Sequence, residues 1–169
     1  MGTMSRITPC LWFDGRAGEA ATFYTELFPD SSIDHIQSVG PNGDDWPNGT
    51  ENVFMAHITV AGQPMQLLNA GPEFAFNEAV SFVYPCHGQA EIDLMWNALI
   101  ADGGEESRCG WLRDKFGLSW QIIPDNMGEL ICNQAAIDAM FTMNKIDIAA
   151  LEQARDGASS EEGGVATRK

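Results

Sequence analysis

Residues 79–123, AVSFVYPCHGQAEIDLMWNALIADGGEESRCGWLRDKFGLSWQII, decide the fold because strand and helix patterns follow one another there in a defined order. Residues 79–86 form an apolar, β-rich run that predicts a strand. A helix is predicted next, since four apolar residues recur at helical spacing before the glycine pair at 103–104. These residues are Ile92, Met95, Trp96 and Leu99. Three short strand-like runs follow, at 105–108, 109–113 and 118–123. The predicted order is βαβββ.

The first half of the chain repeats this order. A strand is predicted at 7–13, and a helix follows whose apolar residues recur until Pro29. They are Ala17, Ala20, Ala21, Tyr24, Leu27 and Phe28. Three strands are predicted at 32–39, 53–60 and 64–69. The chain is therefore predicted to belong to the α+β class.

Two internal shifts relate the halves. A shift of 72 residues carries Ala20, Tyr24 and Leu27 onto Ile92, Trp96 and Leu99, and a shift of 55 carries Gly62 and Gln66 onto Gly117 and Gln121. The sequence thus predicts two βαβββ modules, 7–70 and 79–124. Each module has a strand edge and one apolar face to cover, so we expect the pair to form an incomplete barrel around a cavity.

Composition and net charge disfavour some classes of binding partner. The 169 residues suit one compact domain, and the net charge of −15 disfavours nucleic acid and anionic membrane surfaces. No apolar run approaches the ~20 residues of a membrane span, so no membrane association is expected. The start of the chain lacks a secretory pattern, which predicts a cytoplasmic protein. In that compartment the four cysteines are expected to be free thiols.

Segments outside the modules have separate predictions. Residues 1–6 are interpreted as an N-terminal extension or as residues added for expression, and the domain is predicted to span 7–155. Helical spacing at 134–155 predicts a C-terminal helical segment that could pack on the barrel or on a partner subunit. Residues 156–169, rich in Ser, Gly and Glu, are predicted to be a disordered tail.

Three stretches carry a resemblance to a known family: TPCLWFDG at 8–15, CGWLRDKFGLSWQI at 109–122, and KIDIAAL at 145–151. Together they resemble the PhnB-like, or demethylubiquinone 3-methyltransferase-like, family of the glyoxalase/bleomycin-resistance/dioxygenase (vicinal oxygen chelate) superfamily. The resemblance implies the paired βαβββ fold, a homodimer and a ligand cavity in each barrel.

Metal-using members of that superfamily place one ligand on the first and last strand of each module, usually His or Glu. The internal shifts put these positions at Pro9, Ser81, Gln66 and Gln121. None of the four offers an imidazole or carboxylate, so we expect no metal at this site and no other cofactor. Gln66, Ser81 and Gln121 could instead hydrogen-bond a ligand without ionising.

Three tryptophans are further candidates for ligand contact: Trp12, Trp111 and Trp120. Strand alternation across the turn at 114–117 places Trp111 roughly opposite Trp120, so both are expected on one sheet face. That face could form an aromatic wall of the cavity or pack beneath the helices. Alternation also implies that only one of Trp120 and Gln121 can face inward.

The histidines and two turn residues have structural alternatives. His57 could be a base in the cavity or a hydrogen-bonded sheet residue, which is favoured. Cys86 and His87 could form a nucleophile and base, but neighbours in a strand point to opposite faces, which favours a loop or capping role. Asp114 and Gly117 are expected to serve the turn.

Two functions remain open. The first is a metal-independent protein that binds a small organic ligand. The alternative is an enzyme of the superfamily, of lyase, isomerase or dioxygenase type, or a methyltransferase as the family label suggests. Methyl transfer from S-adenosylmethionine would call for a Gly-rich turn after a strand with an acidic residue near the next strand end, and the sequence has no such arrangement. No catalytic residue can be assigned.

Overall fold

A computed structural model describes residues 7–38 and 52–162, with side chains as far as 157. It has eight strands and five α-helices in these ranges. The strands are β1 (Cys10–Phe13), β2 (Ser32–Ser38), β3 (Val53–Val60), β4 (Gln63–Asn69), β5 (Ser81–Cys86), β6 (Glu105–Glu106), β7 (Trp111–Arg113) and β8 (Ser119–Pro124). The helices are α1 (Ala17–Leu27), α2 (Gln89–Ile100), α3 (Met127–Leu130), α4 (Gln134–Phe141) and α5 (Ile148–Glu162). The described part contains no helix long and apolar enough to cross a membrane.

The chain divides into two compact units, Met1–Phe76 and Asn77–Lys169. The first contains a four-stranded sheet in the order β1-β4-β3-β2, and the second a four-stranded sheet in the order β5-β8-β7-β6. In each unit the first and last strands are parallel neighbours, and the other pairs are antiparallel. Neither sheet closes into a barrel. This arrangement confirms the α+β class and the two βαβββ modules.

One helix covers one face of each sheet. In the first unit α1 lies against β3 and β4, and its buried residues face an alternating set of buried strand residues. In the second unit α2 lies against β5, β7 and β8. The four residues of α2 that share the predicted apolar spacing are all buried, so the predicted helix face is confirmed. The core of each unit therefore lies between its sheet and its helix.

The C-terminal segment forms its own small cluster. Leu130, Ile146 and Leu151 are fully buried, and partly buried side chains of α3, α4 and α5 pack around them. The predicted helical segment at 134–155 is thus two helices, and α5 continues to Glu162, seven residues beyond the predicted end. The predictions for residues 1–6 and 163–169 lie outside the described residues.

Candidate functional site

The face of each sheet away from its helix carries the candidate residues. In the first sheet, register places Gln66 of β4 between Cys10 of β1 and His57 of β3, and His57 is in turn beside His35 of β2. Residues paired in this way point to the same side. We call this side, defined by Cys10, His35, His57 and Gln66, the open face of the first sheet. Gln66 and His57 are half-buried there, whereas Cys10 and His35 are exposed.

A cleft of about 330 Å³ opens beside this row. Gln66 and His57 line it, with Asp34 and Thr8 among its polar neighbours. The carboxylate of Asp34 accepts hydrogen bonds from Ser32 Oγ at 2.7 Å and Thr59 Oγ1 at 2.8 Å. Within the described residues the Gln66 side-chain amide has no hydrogen-bond partner, and it lines the cleft.

In the second sheet the corresponding face holds the other two polar candidates. Gln121 Nε2 donates to Ser81 Oγ at 2.9 Å, and Trp111 is the neighbour of Gln121 across β7 and β8. Val83 is its neighbour on β5 and is 53% exposed. An amide, a hydroxyl, an indole and an aliphatic side chain therefore meet on one surface, which we call the open face of the second sheet.

The predicted pairing of Trp111 with Trp120 is wrong. Trp111 pairs with Gln121, and Trp120 pairs with Leu112, so the two tryptophans point to opposite faces. The cause is the hairpin loop, in which Asp114 N donates to Leu118 O and only three residues separate these two. The prediction counted Asp114 as a fourth loop residue, and an error of one residue reverses the face of a whole strand.

Trp120 consequently belongs to the core rather than to a ligand surface. It is 3% exposed, its ring lies 5.6 Å from that of Phe82, and its indole N–H donates to Asp114 Oδ2 at 2.9 Å. Asp114 Oδ1 also accepts from the backbone N–H groups of Phe116 and Leu118. The predicted turn role of Asp114 is confirmed, and Gly117 has the expected positive φ of 90°.

Trp12 lies on the open face of the first sheet, two residues along β1 from Cys10. Its indole N–H donates to Gly71 O at 2.8 Å, and its ring meets that of Phe74 edge-on with centroids 4.9 Å apart. With its one polar atom engaged in this way, Trp12 can offer a ligand only its apolar surface. Trp111 has no such bond among the described residues and is half-buried.

The internal shift between the first strands also needs correction. Cys10 is beside Gln66, and Val83 is beside Gln121, so these strands are displaced by 73 residues, from 10 to 83, rather than by 72. The helices do start 72 residues apart, at Ala17 and Gln89. Pro9 is therefore not the counterpart of Ser81. Its carbonyl accepts the backbone N–H of Gln66 at 2.9 Å, and Pro itself has no side-chain donor.

Cys86 and His87 do not form a nucleophile and base. Cys86 is fully buried, and burial, followed by the charges of Glu91 and Asp125, raises the pKa of its thiol to about 12. Nδ1 of His87 lies 3.0 Å from Asp125 Oδ2 at the exposed end of the strands, where the hydrogen bond to Asp125 raises the pKa of the imidazole. A thiol that stays protonated is a poor nucleophile.

All four cysteines are free, as predicted. The described residues contain no group of three or more His, Cys, Asp and Glu side chains that could hold a metal ion. The sequence did not predict that His35 and His57 pair with each other. A register shift in β2 between Ile33 and His35 brings them together, and the sequence carries no clear signal for it.

Comparison with known families matched residues 5–123 to the family described as 3-demethylubiquinone-9 3-methyltransferase. A solved structure from Bacillus cereus, described as a 3-demethylubiquinone-9 3-methyltransferase and PhnB protein, is 33% identical and has a TM-score of 0.61; the match covers 71% of this chain and 99% of that chain. The structure of a protein from Pseudomonas aeruginosa is 21% identical, and the match covers 69% of this chain and 94% of that chain with a TM-score of 0.54. At this identity the similarity shows the fold alone. No curated protein gave a significant match.

Proposed function

The chain belongs to the 3-demethylubiquinone-9 3-methyltransferase family and has a PhnB relative of known structure. On this basis we propose that the open face of each of its sheets binds a small organic ligand through neutral side chains. The proposal places it in the glyoxalase-like, vicinal oxygen chelate superfamily as a member with no catalytic metal at Gln66, Ser81 and Gln121. The single observation that supports it most is the uncharged polar set on these faces. Catalytic residues are not part of the proposal.

Chemistry favours recognition over acid–base catalysis at these positions. Gln66 and Gln121 can each donate and accept hydrogen bonds, and Ser81 can do both, but none of the three ionises near neutral pH. The indole of Trp111 adds an apolar plane next to Gln121. Such a surface suits a ligand that combines a flat apolar part with carbonyl, hydroxyl or amide groups.

Gln66→Leu and Gln121→Leu are each expected to weaken ligand binding by about 1–3 kcal/mol, or roughly 5- to 150-fold. Leucine removes a donor and an acceptor while keeping a similar volume, so the ligand's buried polar atoms lose their partners. Native mass spectrometry of protein purified from its own host should first identify a retained compound. Isothermal titration of the two variants with that compound then measures the loss.

Gln63→Leu is the matched control, because Gln63 is an exposed amide at the start of the same strand as Gln66. Its affinity should equal that of the wild type, and all three variants should remain folded at the temperature of the titration. Unchanged affinity in Gln66→Leu and Gln121→Leu would place the ligand elsewhere. Ligand binding would be contradicted altogether if the purified protein retained no compound and if no member of a metabolite library raised its melting temperature.

The second candidate function is an enzyme of the superfamily, of lyase, isomerase or dioxygenase type, or a methyltransferase, which the name of the 3-demethylubiquinone-9 3-methyltransferase family favours. Titration with S-adenosylmethionine separates methyl transfer from plain recognition. We expect no binding, because the chain has no Gly-rich turn of the kind that holds this cofactor. Saturable binding, with methyl transfer to a quinol or phenol, would favour the methyltransferase.

A homodimer is the expected assembly. Each sheet has edge strands, and exposed apolar side chains include Val83 on the open face of the second sheet and Phe141 on α4. A twofold partner could cover such surfaces. Sedimentation-velocity ultracentrifugation at micromolar concentrations should therefore give the mass of two chains, and a monomer at every concentration would contradict this expectation.

A further inference from the structure

Two imidazoles lie side by side on neighbouring strands of the first sheet. His35 of β2 and His57 of β3 are directly paired, and their ring centroids are 5.8 Å apart with an angle of 47° between the ring planes. Neither ring has a hydrogen-bond partner among the described residues. We propose that this pair is a two-imidazole chelate for a divalent transition-metal ion of the Ni²⁺, Zn²⁺ or Cu²⁺ type.

The separation of the rings fits one shared ion. A metal–nitrogen bond to imidazole is roughly 2.0–2.1 Å long, so two rings that share an ion in a bent arrangement have centroids about 5–6 Å apart. Imidazole is the side chain that these ions take most often, and it binds them in its neutral form.

An irregularity in the sheet creates the pair. Ile33 is opposite Ile58 and His35 is opposite His57, so Asp34 is an extra residue in β2 with no partner of its own. In a regular ladder Asp34 would occupy the place opposite His57. Bulges of this kind cost ladder hydrogen bonds and commonly re-aim a side chain beside a functional site.

The surroundings favour a cation with open coordination positions. His57 lines the cleft of about 330 Å³ together with Asp34 and Gln66. The formal charge of the chain, −15, raises the local concentration of cations. Two protein ligands leave the remaining positions to water or to an oxygen of a ligand in the cleft, as in metal sites that are not purely structural.

This site differs from the one that the family resemblance implies. It lies on β2 and β3, whereas Pro9 precedes β1 and Gln66 belongs to β4. It also does not depend on the proposed ligand binding, because the chelate could exist whether or not an organic ligand occupies the cleft. The two proposals can therefore fail separately.

The test is isothermal titration of the full, untagged chain with Ni²⁺ in the presence of a phosphine reductant. We expect one Ni²⁺ per chain. His35→Asn and His57→Asn should each weaken binding by roughly 100-fold, because the second donor of a chelate binds intramolecularly and its loss removes that advantage. The double variant should bind more weakly than either single variant, because each single variant still keeps one imidazole donor.

His87→Asn and Cys10→Ser are the controls. His87 has a side chain 94% exposed and is the third histidine of the chain, and Cys10 is the exposed thiol of the same open face. Both variants should bind Ni²⁺ like the wild type. Equal affinity of His35→Asn and the wild type, or loss of binding on Cys10→Ser, would overturn the proposal. In the wild type, substoichiometric Ni²⁺ should selectively broaden the NMR signals of the His35 and His57 rings. If these signals are not selectively broadened, the proposal is overturned without any variant.

Discussion

Asp114→Ala should lower the free energy of unfolding by on the order of 3–5 kcal/mol. Asp114 is 2% exposed, and its carboxylate accepts hydrogen bonds from the indole N–H of Trp120 and from the backbone N–H groups of Phe116 and Leu118. Alanine would leave these donors buried without an acceptor, and each buried donor left unpaired costs about 1–3 kcal/mol. Urea denaturation followed by tryptophan fluorescence measures the change.

Two further variants make this prediction specific. Asp138→Ala removes an exposed carboxylate from α4 and should change stability by less than about 0.5 kcal/mol. Asp114→Asn keeps the shape of the side chain and one acceptor oxygen. Its loss in free energy of unfolding should therefore lie between the losses of Asp138→Ala and Asp114→Ala. A loss below about 1 kcal/mol in Asp114→Ala would mean that water replaces the carboxylate in the loop.

The hairpin also links this prediction to the candidate site. Asp114 closes the three-residue loop whose register puts Trp111 beside Gln121. If the loop relaxes into a register shifted by one residue, Trp111 would move to the helix side of the sheet. A folded Asp114→Asn variant should therefore keep wild-type ligand affinity only if the register survives, which backbone amide exchange at β7 and β8 would report.

Gly110→Ala should destabilise the second unit by about 2–5 kcal/mol. Gly110 has a φ of 84°, a conformation that costs a non-glycine residue roughly 1–2 kcal/mol. An added Cβ would also lie 2.9 Å from the backbone oxygen of Ile122 and 3.2 Å from Ile146 Cγ1. Relieving this contact requires shifts of backbone or core side chains that typically cost a further 1–3 kcal/mol.

Gly110 cannot move without disturbing two elements. Its N–H donates to Asn144 O at 2.7 Å, and its carbonyl accepts from Ile122 N at 2.8 Å, so it joins the segment after α4 to β8. Gly62→Ala is the matched control, because Gly62 has a φ of 77° but nothing within 4 Å of an added Cβ. Thermal unfolding of both variants separates the backbone cost from the steric cost. Equal losses of stability in the two variants would show that the close contacts at Gly110 add nothing to the backbone cost.

Helix faces and module order could be predicted because they depend on local spacing. The four apolar residues of α2 repeat with the helical period, and that period is a property of neighbouring residues alone. The repeat of one pattern in both halves then pointed to two similar modules. The short helix α3 was missed, since four residues carry too little periodicity to recognise.

Strand register was less predictable because it depends on single residues in loops and bulges. The loop closed by Asp114 is one residue shorter than the sequence suggested, and this difference puts Trp111 and Trp120 on opposite faces of the sheet, whereas they were expected on the same face. The extra residue Asp34 in β2 similarly decided that His35, and not its neighbour, faces His57. A sheet has a period of two residues, so an error of one changes every side chain on the strand.

By itself, the sequence determined the α+β class, the two βαβββ modules and the absence of imidazole or carboxylate groups at Gln66, Ser81 and Gln121. These follow from residue identity and short-range spacing. Only the tertiary structure decided which side chains meet: Gln121 with Ser81, and His35 with His57. The physical reason is that such contacts join residues far apart in the chain, and pairing across strands is set by hydrogen-bond register, which local preferences do not encode.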